Sequence, residues 1–220
     1  MRREGADYEM NDNCVSLVGY YGGDITHAQA AWHSTGTQTV SAGMLSRIPA
    51  LLRTLHEGSD GVPHTSPFER SLLHFQCTVD TATHIHILKH RHISVNGESA
   101  RYREYRTDKY ILPHDWTHKE REDLQEFTQD GYARYHQSAV DLRPALGAQR
   151  AKETARYYLP YAIQVNLDLS MCFLEFTHFQ RLRNSSHSQG EIQRLAAEML
   201  HLVKTETNDA FKHSLEAWNL

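Results

Sequence analysis

Two stretches of the chain alternate apolar and polar side chains with the period of a β-strand. In the first, Leu73, Phe75, Cys77 and Val79 point one way while His74, Gln76 and Thr78 point the other. The second sets Ile163, Val165, Leu167, Leu169 and Met171 against Gln164, Asn166, Asp168 and Ser170. Each is a strand half-buried on one face, and two of them imply a sheet over a core. Elsewhere the spacing is helical. Met44, Leu45, Ile48, Leu51, Leu52 and Leu55 predict one amphipathic helix, ended by the Gly58, Gly61, Pro63 and Pro67 of "HEGSDGVPHTSP". "RAKETARYYLP" carries Ala151, Ala155, Tyr158 and Leu159 on one face and stops at Pro160. Gly190 precedes "EIQRLAAEMLHLVK", whose Ile192, Leu195, Ala196, Met199, Leu202 and Val203 form another apolar stripe. Residues 1–20 are polar and weakly patterned, as a frayed or edge segment would be. The combination predicts an α+β domain, a small and mostly antiparallel sheet packed with long helices.

At 220 residues, with no Pro/Gly/Ser spacer, repeat or low-complexity run, residues 1–220 read as one domain with a divergent segment over 1–20. Lys and Arg number 23 against 27 Asp and Glu, a net charge of −4. That balance argues against non-specific binding to nucleic acid or to an anionic membrane. No run approaches the about 20 apolar residues of a membrane span, and no apolar signal core opens the chain. Cys14, Cys77 and Cys172 are widely spaced and odd in number, so they suggest neither a disulfide framework nor a zinc ribbon. A soluble protein of the cytoplasm is the expectation.

One segment departs from this background. In "KHRHISVNGESARYREY" and the residues after it, Lys89, Arg91, Arg101, Arg103, Arg106 and Lys109 outnumber Glu98, Glu104 and Asp108, and large apolar residues are scarce. Arginine forks, hydroxyls such as Ser94 and Ser99, and backbone N–H groups beside Gly97 are what hold a phosphate. A solvated charged loop would read similarly. Two further segments bring like groups. Arg156 lies on "KETARYYLP", where it could equally pair with a neighbour such as Glu153. Arg181, Arg183 and His187 precede the Gly190 helix, whose N-terminus can attract anions, although a capping loop would use Ser185, Ser186 and Ser188 in the same way.

Metal is the competing chemistry. His84, His86, His90 and His92 crowd together, and were the segment before Arg91 helical, His86 and His90 would stand one turn apart. Against this, no carboxylate or cysteine sits at a matching offset, and Lys89 and Arg91 raise the local potential. Cys77 and Cys172 read as small core residues. Ser99 lacks a Gly-x-Ser-x-Gly elbow, and there is neither a Gly-x-Gly-x-x-Gly fingerprint nor a Walker loop.

"KHRHISVNGESARY" resembles the signature of the flavin-dependent thymidylate synthases, Arg-His-Arg-x-x-Ser-x-Asn-Glu-x-Ser-x-Arg-Tyr, with His90, Arg91, Ser94, Asn96, Ser99, Arg101 and Tyr102 in register. "HTSPFE" resembles the family's His-x-Thr-Pro-Phe-Glu, "ETARYYLP" its Glu-x-Ala-Arg-x-x-Leu-Pro, and "FQRLRNSSHSQGEIQ" its Phe-x-x-Leu-Arg-x-x-x-x-His-x-Gln-x-Glu-Ile. The likeness runs from roughly Ile25 to Leu215. It implies homotetramers with active sites shared between subunits, and FAD reduced by NADPH as hydride donor to uracil C6. Methylenetetrahydrofolate supplies the carbon placed on C5 of dUMP, and no enzyme cysteine attacks the base. Carried over by position, the resemblance implies that Ser66, Glu69, Lys89, His90, Arg91, His92, Asn96, His178 and His187 contact FAD. Likewise His86, Lys89, Glu98, Ser99, Ala100, Arg101, Arg156 and Arg183 would contact the nucleotide. Arg183 would also be catalytic, favouring ionisation at N3.

The match departs from the family pattern at several places. Lys89 stands for an arginine and Gly97 for a glutamate, with Glu98 next to it; His86 replaces a glutamine; Cys172 and Leu174 replace asparagine and arginine. A changed acceptor is one implication, since relatives in polyoxin-type nucleoside antibiotic pathways methylate the ribonucleotide UMP. A nucleotide-binding homologue without the redox reaction, and a His-cluster metalloprotein, are the alternatives.

Overall fold

The structure is a computed structural model that describes residues 8–37, 39–105 and 107–220; Arg106, one of the predicted cations, lies outside them, as does the start of the 1–20 segment. The elements run β1 (Tyr8–Met10), β2 (Cys14–Tyr21), α1 (Asp24–Ser34), α2 (Ala42–Leu45), α3 (Ile48–Glu57), a 3-10 turn Ser66–Glu69, β3 (Leu72–Asp80) and α4 (Thr81–Leu88). They continue with β4 (Ser94–Gly97), β5 (Asp108–Tyr110), α5 (His118–Asp141), α6 (Arg143–Ala155), a 3-10 turn Arg156–Tyr158, β6 (Gln164–Met171), α7 (Phe173–Arg183), α8 (Gly190–Glu206) and α9 (Lys212–Ala217). The expected α+β class holds. An antiparallel sheet of four strands has the order β2-β3-β6-β4, so residues 14–20 form an edge strand. A separate ribbon pairs β1 with β5 in parallel, Tyr8 opposite Asp108.

The predicted alternation is realised except at Gln164, a polar-face position that is buried, its Nε2 donating to the Asn11 carbonyl at 3.1 Å. Leu73, Phe75, Cys77 and Val79 of β3 are buried, as are Ile163 and, on β6, Val165, Leu167, Leu169 and Met171. The opposite face pairs polar groups across the two strands. His74 meets Asp168, Gln76 Nε2 donates to Asp168 Oδ2 at 3.1 Å, and Thr78 Oγ1 donates to Asn166 Oδ1 at 2.9 Å.

By packing, the chain forms two compact units. The first takes the described residues of Met1–Cys14, Cys77–Lys89 and Asn96–Leu167; the second takes Val15–Gln76, His90–Val95 and Asp168–Leu220. In the first, α5 packs along α6 and on the Arg156–Tyr158 turn. Helix α5 buries Thr128, Gly131, Tyr132, Tyr135, His136 and Ala139 along one face. Gly131 permits that approach, because a Cβ there would lie 2.8 Å from the Tyr158 carbonyl.

In the second unit, α7 packs on α8, and the apolar stripe read from the sequence is buried throughout: Ile192, Leu195, Ala196, Met199, Leu202 and Val203. The same unit holds a buried polar chain. Asp24 accepts from the Ser214 N–H and hydroxyl, and His27 joins Ser214 through Nδ1 at 2.8 Å and Ser71 through Nε2 at 2.9 Å. Gly23 makes the turn into α1 at φ 134°, where a Cβ would clash with the Ala210 carbonyl at 2.2 Å.

Two expected helices differ. The single helix over Met44–Leu55 is two, α2 and α3, parted at Ser46 and Arg47. Pro49, in the first turn of α3, has no N–H to give to the Leu45 carbonyl, so the chain restarts rather than continuing, and Leu45 is left exposed. In "RAKETARYYLP", α6 ends at Ala155 and tightens to a 3-10 turn, so Tyr158 leaves the apolar face and is 48% exposed.

Candidate functional site

The candidate residues fall into two clusters, one in each unit. The first unit holds the segment from Glu98 to Asp108, laced to its neighbours at nearly every step. Glu98 N donates to the Asn166 carbonyl at 2.8 Å, and the Glu98 carboxylate accepts from Asn166 Nδ2 at 2.9 Å. Ser99 Oγ accepts from Arg101 N at 3.4 Å, and Ala100 is buried. Arg101 Nε reaches Glu153 Oε1 at 2.9 Å, while Lys152 Nζ donates to the Tyr102 carbonyl at 3.1 Å.

Arg156 comes to the same place. Its Nε donates to the Glu153 backbone carbonyl at 3.0 Å. Glu153 thus stands between Arg101 and Arg156, its carboxylate on one and its carbonyl on the other, with Arg150 also within 3.5 Å of the carboxylate. The sequence allowed Arg156 to be paired with Glu153 or to be an anion ligand, and the geometry serves both. Hydrogen bonding from Arg101, first, and the guanidinium charge hold the Glu153 carboxyl below the usual range.

The departure at Gly97 has a steric counterpart. A Cβ there would sit 3.2 Å from Leu167 Cδ2, so the longer side chain of the family pattern would press on the β6 core face. Glu98 is already engaged by Asn166.

Helix α4 begins on a side-chain cap, Asp80 accepting from Thr83 N at 2.9 Å. It stops at Leu88 with Lys89 as its exposed C-cap residue. The helical face that would have set His86 one turn from His90 therefore ends before His90. His86 is half-buried on α4, and Asn96 is exposed at the end of β4. Among the described residues no group of three or more His, Cys, Asp or Glu is placed to hold a metal ion.

The second cluster is built around His90, whose ring is buried against Phe179 with centroids 4.8 Å apart, and edge-on to His178 at 5.7 Å. Arg183 Nε donates to His90 Nε2 at 2.9 Å. That nitrogen must carry a lone pair, so the ring is neutral with its proton on Nδ1. Burial is the main cause, and the charges of Arg183 and His178 add to it: the imidazole is lowered to about 4. Arg183 is itself lowered by burial.

Arg181 Nη2 lies 3.4 Å from His178 Nδ1, and Arg91, His92, His178 and His187 are exposed. Ser66 and Glu69 are exposed on the 3-10 turn whose Pro67 and Phe68 anchor it in the core. At the N-terminus of α8, for which the sequence left an anion site and a capping loop both open, an acidic side chain stands in the first turn. This is Glu191, whose carboxylate accepts from the Gln189 side chain at 2.9 Å and from Arg194 at 3.1 Å, a negative charge favoured at that end of the helix dipole. Cys172 caps α7, half-buried, and burial raises its thiol, so it is poorly suited to act as a nucleophile.

Arginines and a serine are thus gathered on one segment of the first unit, and a neutral imidazole fixes an arginine in the second. The family described as thymidylate synthase complementing protein matches residues 16–207. The chain belongs to that family, and it is a flavin-dependent thymidylate synthase-like methyltransferase. A flavin-dependent thymidylate synthase from Pseudothermotoga lettingae is 28% identical over 197 residues, covering 87% of this chain and 85% of the relative. One from Treponema denticola is 26% identical, with 88% and 75% covered. The UMP/dUMP methylase PolB of Streptomyces cacaoi shares the fold: its crystal structure with 5-Br dUMP gives a TM-score of 0.77 at 23% identity, covering 97% of each chain. No helix among the described residues is long and apolar enough to cross a membrane.

The sequence reading missed Glu153 as the link between the two arginines. Its signal was the glutamate of "ETARYYLP", three residues before Arg156 and so on the same helical face.

Proposed function

We propose that the protein methylates C5 of a uridine monophosphate, dUMP or UMP, with bound FAD, methylenetetrahydrofolate as one-carbon donor and NADPH as reductant. The observation that carries the reading is the pairing of Arg101 with Arg156 across Glu153, beside Ser99. Two guanidinium groups and a hydroxyl are matched to a phosphate dianion, which would take the place of the Glu153 carboxylate. Lys89, Glu98 and Ala100 are assigned to the same nucleotide by the motif they belong to, and His86 by its place where the family has a glutamine.

FAD fits the donor chemistry of the second cluster. Arg91, His92, His178 and His187 are exposed donors suited to a diphosphate, and the neutral His90 offers an Nδ1–H; Lys89, Asn96, Ser66 and Glu69 complete the proposed set. Bound reduced flavin supplies a hydride. Arg183, its Nε tied to His90, is assigned to the pyrimidine, where its positive charge would stabilise negative charge developing at N3 and O4 and so raise electron density at C5. His90 holds that guanidinium in one orientation and, being neutral, adds no charge to oppose it. The working protein is proposed to be a cytoplasmic homotetramer with shared active sites, in which residues 1–220 act as one domain.

The test is methyl transfer to dUMP and to UMP by purified protein with reduced flavin and methylenetetrahydrofolate. Formation of 5-methylated nucleotide is expected, with a flavin absorption spectrum in the protein as isolated or after adding FAD. Nucleotide binding without product under saturating folate, flavin and NADPH would overturn the catalytic reading and leave a binding homologue. A protein that takes up no flavin would overturn the cofactor assignment.

A further inference from the structure

We propose that His136 is a positioning residue for the nucleotide, its doubly protonated ring clamping the Glu104 to Asp108 end of the phosphate-binding segment onto helix α5. The proposal rests on the reading of Ser99 and Arg101 as nucleotide ligands.

His136 lies 8% exposed between two carboxylates, with Nδ1 2.5 Å from Glu104 Oε1 and Nε2 2.9 Å from Asp108 Oδ1. A neutral imidazole has one N–H and one lone pair. It could donate to only one of these acceptors and would set its lone pair against the other. Only the imidazolium satisfies both, by two charge-assisted hydrogen bonds.

The other titratable groups facing it are phenols. Tyr132 stacks on the ring with centroids 6.3 Å apart, and Tyr135 packs at 4.9 Å. Tyr105 lies against Tyr135 at 5.9 Å. Burial raises all three phenols, pushing Tyr135 up to about 12, so they remain neutral and leave the imidazolium as the counterion of Glu104 and Asp108.

The same helix face grips the segment twice more. Tyr135 Oη accepts from Tyr105 N at 3.3 Å, and Tyr132 Oη donates to the Lys109 carbonyl at 2.7 Å. With Arg101 and Tyr102 held by Glu153 and Lys152 of α6, the described residues fasten the loop at both ends, and the fastening by His136 rests on an imidazole proton. Its removal leaves two carboxylates sharing a single donor. Glu104, 32% exposed against 5% for Asp108, is the one able to swing into water.

Burial, the largest influence, acts to lower the His136 value, but the hydrogen bonds and charges of Asp108 and Glu104 outweigh it and raise the ring above its ordinary 6.5. A raised histidine keeps its contribution whole below 6.5 and loses it as pH climbs through the folded value. Nucleotide affinity therefore weakens on the alkaline side.

The experiment measures dUMP and UMP affinity of the whole protein by calorimetry from about pH 6 to about pH 9, beside ring ¹⁵N spectra of His136. Wild-type protein, His136→Gln, Glu104→Gln and Arg101→Ala are compared. Glu104→Gln keeps a hydrogen-bonding side chain at the exposed position and guards against a His136 variant that fails to fold. The ligand phosphate's own ionisation, near pH 6, is common to every profile and cancels in the comparison.

Expected are a doubly protonated ring at neutral pH and an affinity loss of about tenfold as it deprotonates, at the lower end of coupling between linked sites. That limb should be absent in His136→Gln and Glu104→Gln, with raised KM and little change in kcat. Arg101→Ala should be weaker throughout while retaining it. A neutral ring at pH 6, or an alkaline limb that survives in both clamp variants, overturns the positioning role. Unchanged affinity in Arg101→Ala removes the nucleotide-site reading and the clamp's purpose together.

Discussion

The two units each bury a histidine beside their candidate ligands, and they do opposite things with it. His136, in the first, faces two carboxylates and is held as a cation; His90, in the second, faces a guanidinium and is held neutral at about 4. Burial pushes both rings the same way, so depth cannot be what distinguishes them. The charge of the partner decides whether the imidazole donates twice or accepts once. In the first unit the histidine fixes a stretch of backbone; in the second it fixes the head of another side chain.

The comparison can be broken most severely at Arg183. Arg183→Ala should lower turnover by about 10²- to 10³-fold, as for removal of a group that stabilises developing charge. The melting temperature should stay near that of the native protein; an equal loss of folding would make it a structural arginine. His90→Phe keeps the ring packed on Phe179 but removes the acceptor, and is expected to reproduce part of the turnover defect.

Acid is the next test. His27, buried and bonded to Ser214 and Ser71, is lowered by burial to about 4 from 6.5. Below 6.5 the unfolded chain takes up a proton that the folded one refuses, so stability falls as pH drops from 6.5 toward 4 and then levels. The full span is about 3 kcal/mol. Melting temperatures across that range should show the loss, and a His27→Gln variant that folds should show less of it. An identical slope in the variant would place the titrating group elsewhere.

Smaller effects are expected at the phosphate end. Arg101→Ala and Arg156→Ala should each raise KM for the nucleotide by roughly tenfold or more, the worth of a hydrogen bond to a charged group, while flavin uptake is unaffected. The smallest concerns Gly97→Ala, whose new methyl would meet Leu167 Cδ2 at 3.2 Å. Leu167 can yield by a rotamer adjustment, so chemical denaturation should register a cost of about 1 kcal/mol, the low end for overpacking.

Much of this architecture was written in hydropathy. β3, α8 and all of β6 but its buried Gln164 could be read position by position because their buried faces are apolar, and residues 89–102 carried the family's signature. Helix α5 was not, although at His118–Asp141 it is a long one. The face it buries is Thr128, Gly131, Tyr132, Tyr135, His136 and Ala139, spaced as a helix requires but mostly polar or small, so no apolar stripe announces it. The clamp was hidden for a related reason. Glu104, Asp108 and His136 are ordinary surface residues in any local window, and only the tertiary approach of β5 to α5 gives them to one another. The break at Pro49 was readable from the proline itself; the run of leucines on either side obscured it.

Glu153 has a further consequence. Arg101 meets any incoming anion while already holding a resident one, the Glu153 carboxylate, whereas Arg156 holds only that residue's backbone carbonyl, so association at Arg101 is an exchange of tenants. The net change in local charge is smaller than bare guanidinium groups would give, and affinity should fall only gently with ionic strength. Selection would then favour guests carrying more negative charge than the carboxylate they evict, a bias toward a phosphate dianion over a neutral nucleoside that comes from within the fold.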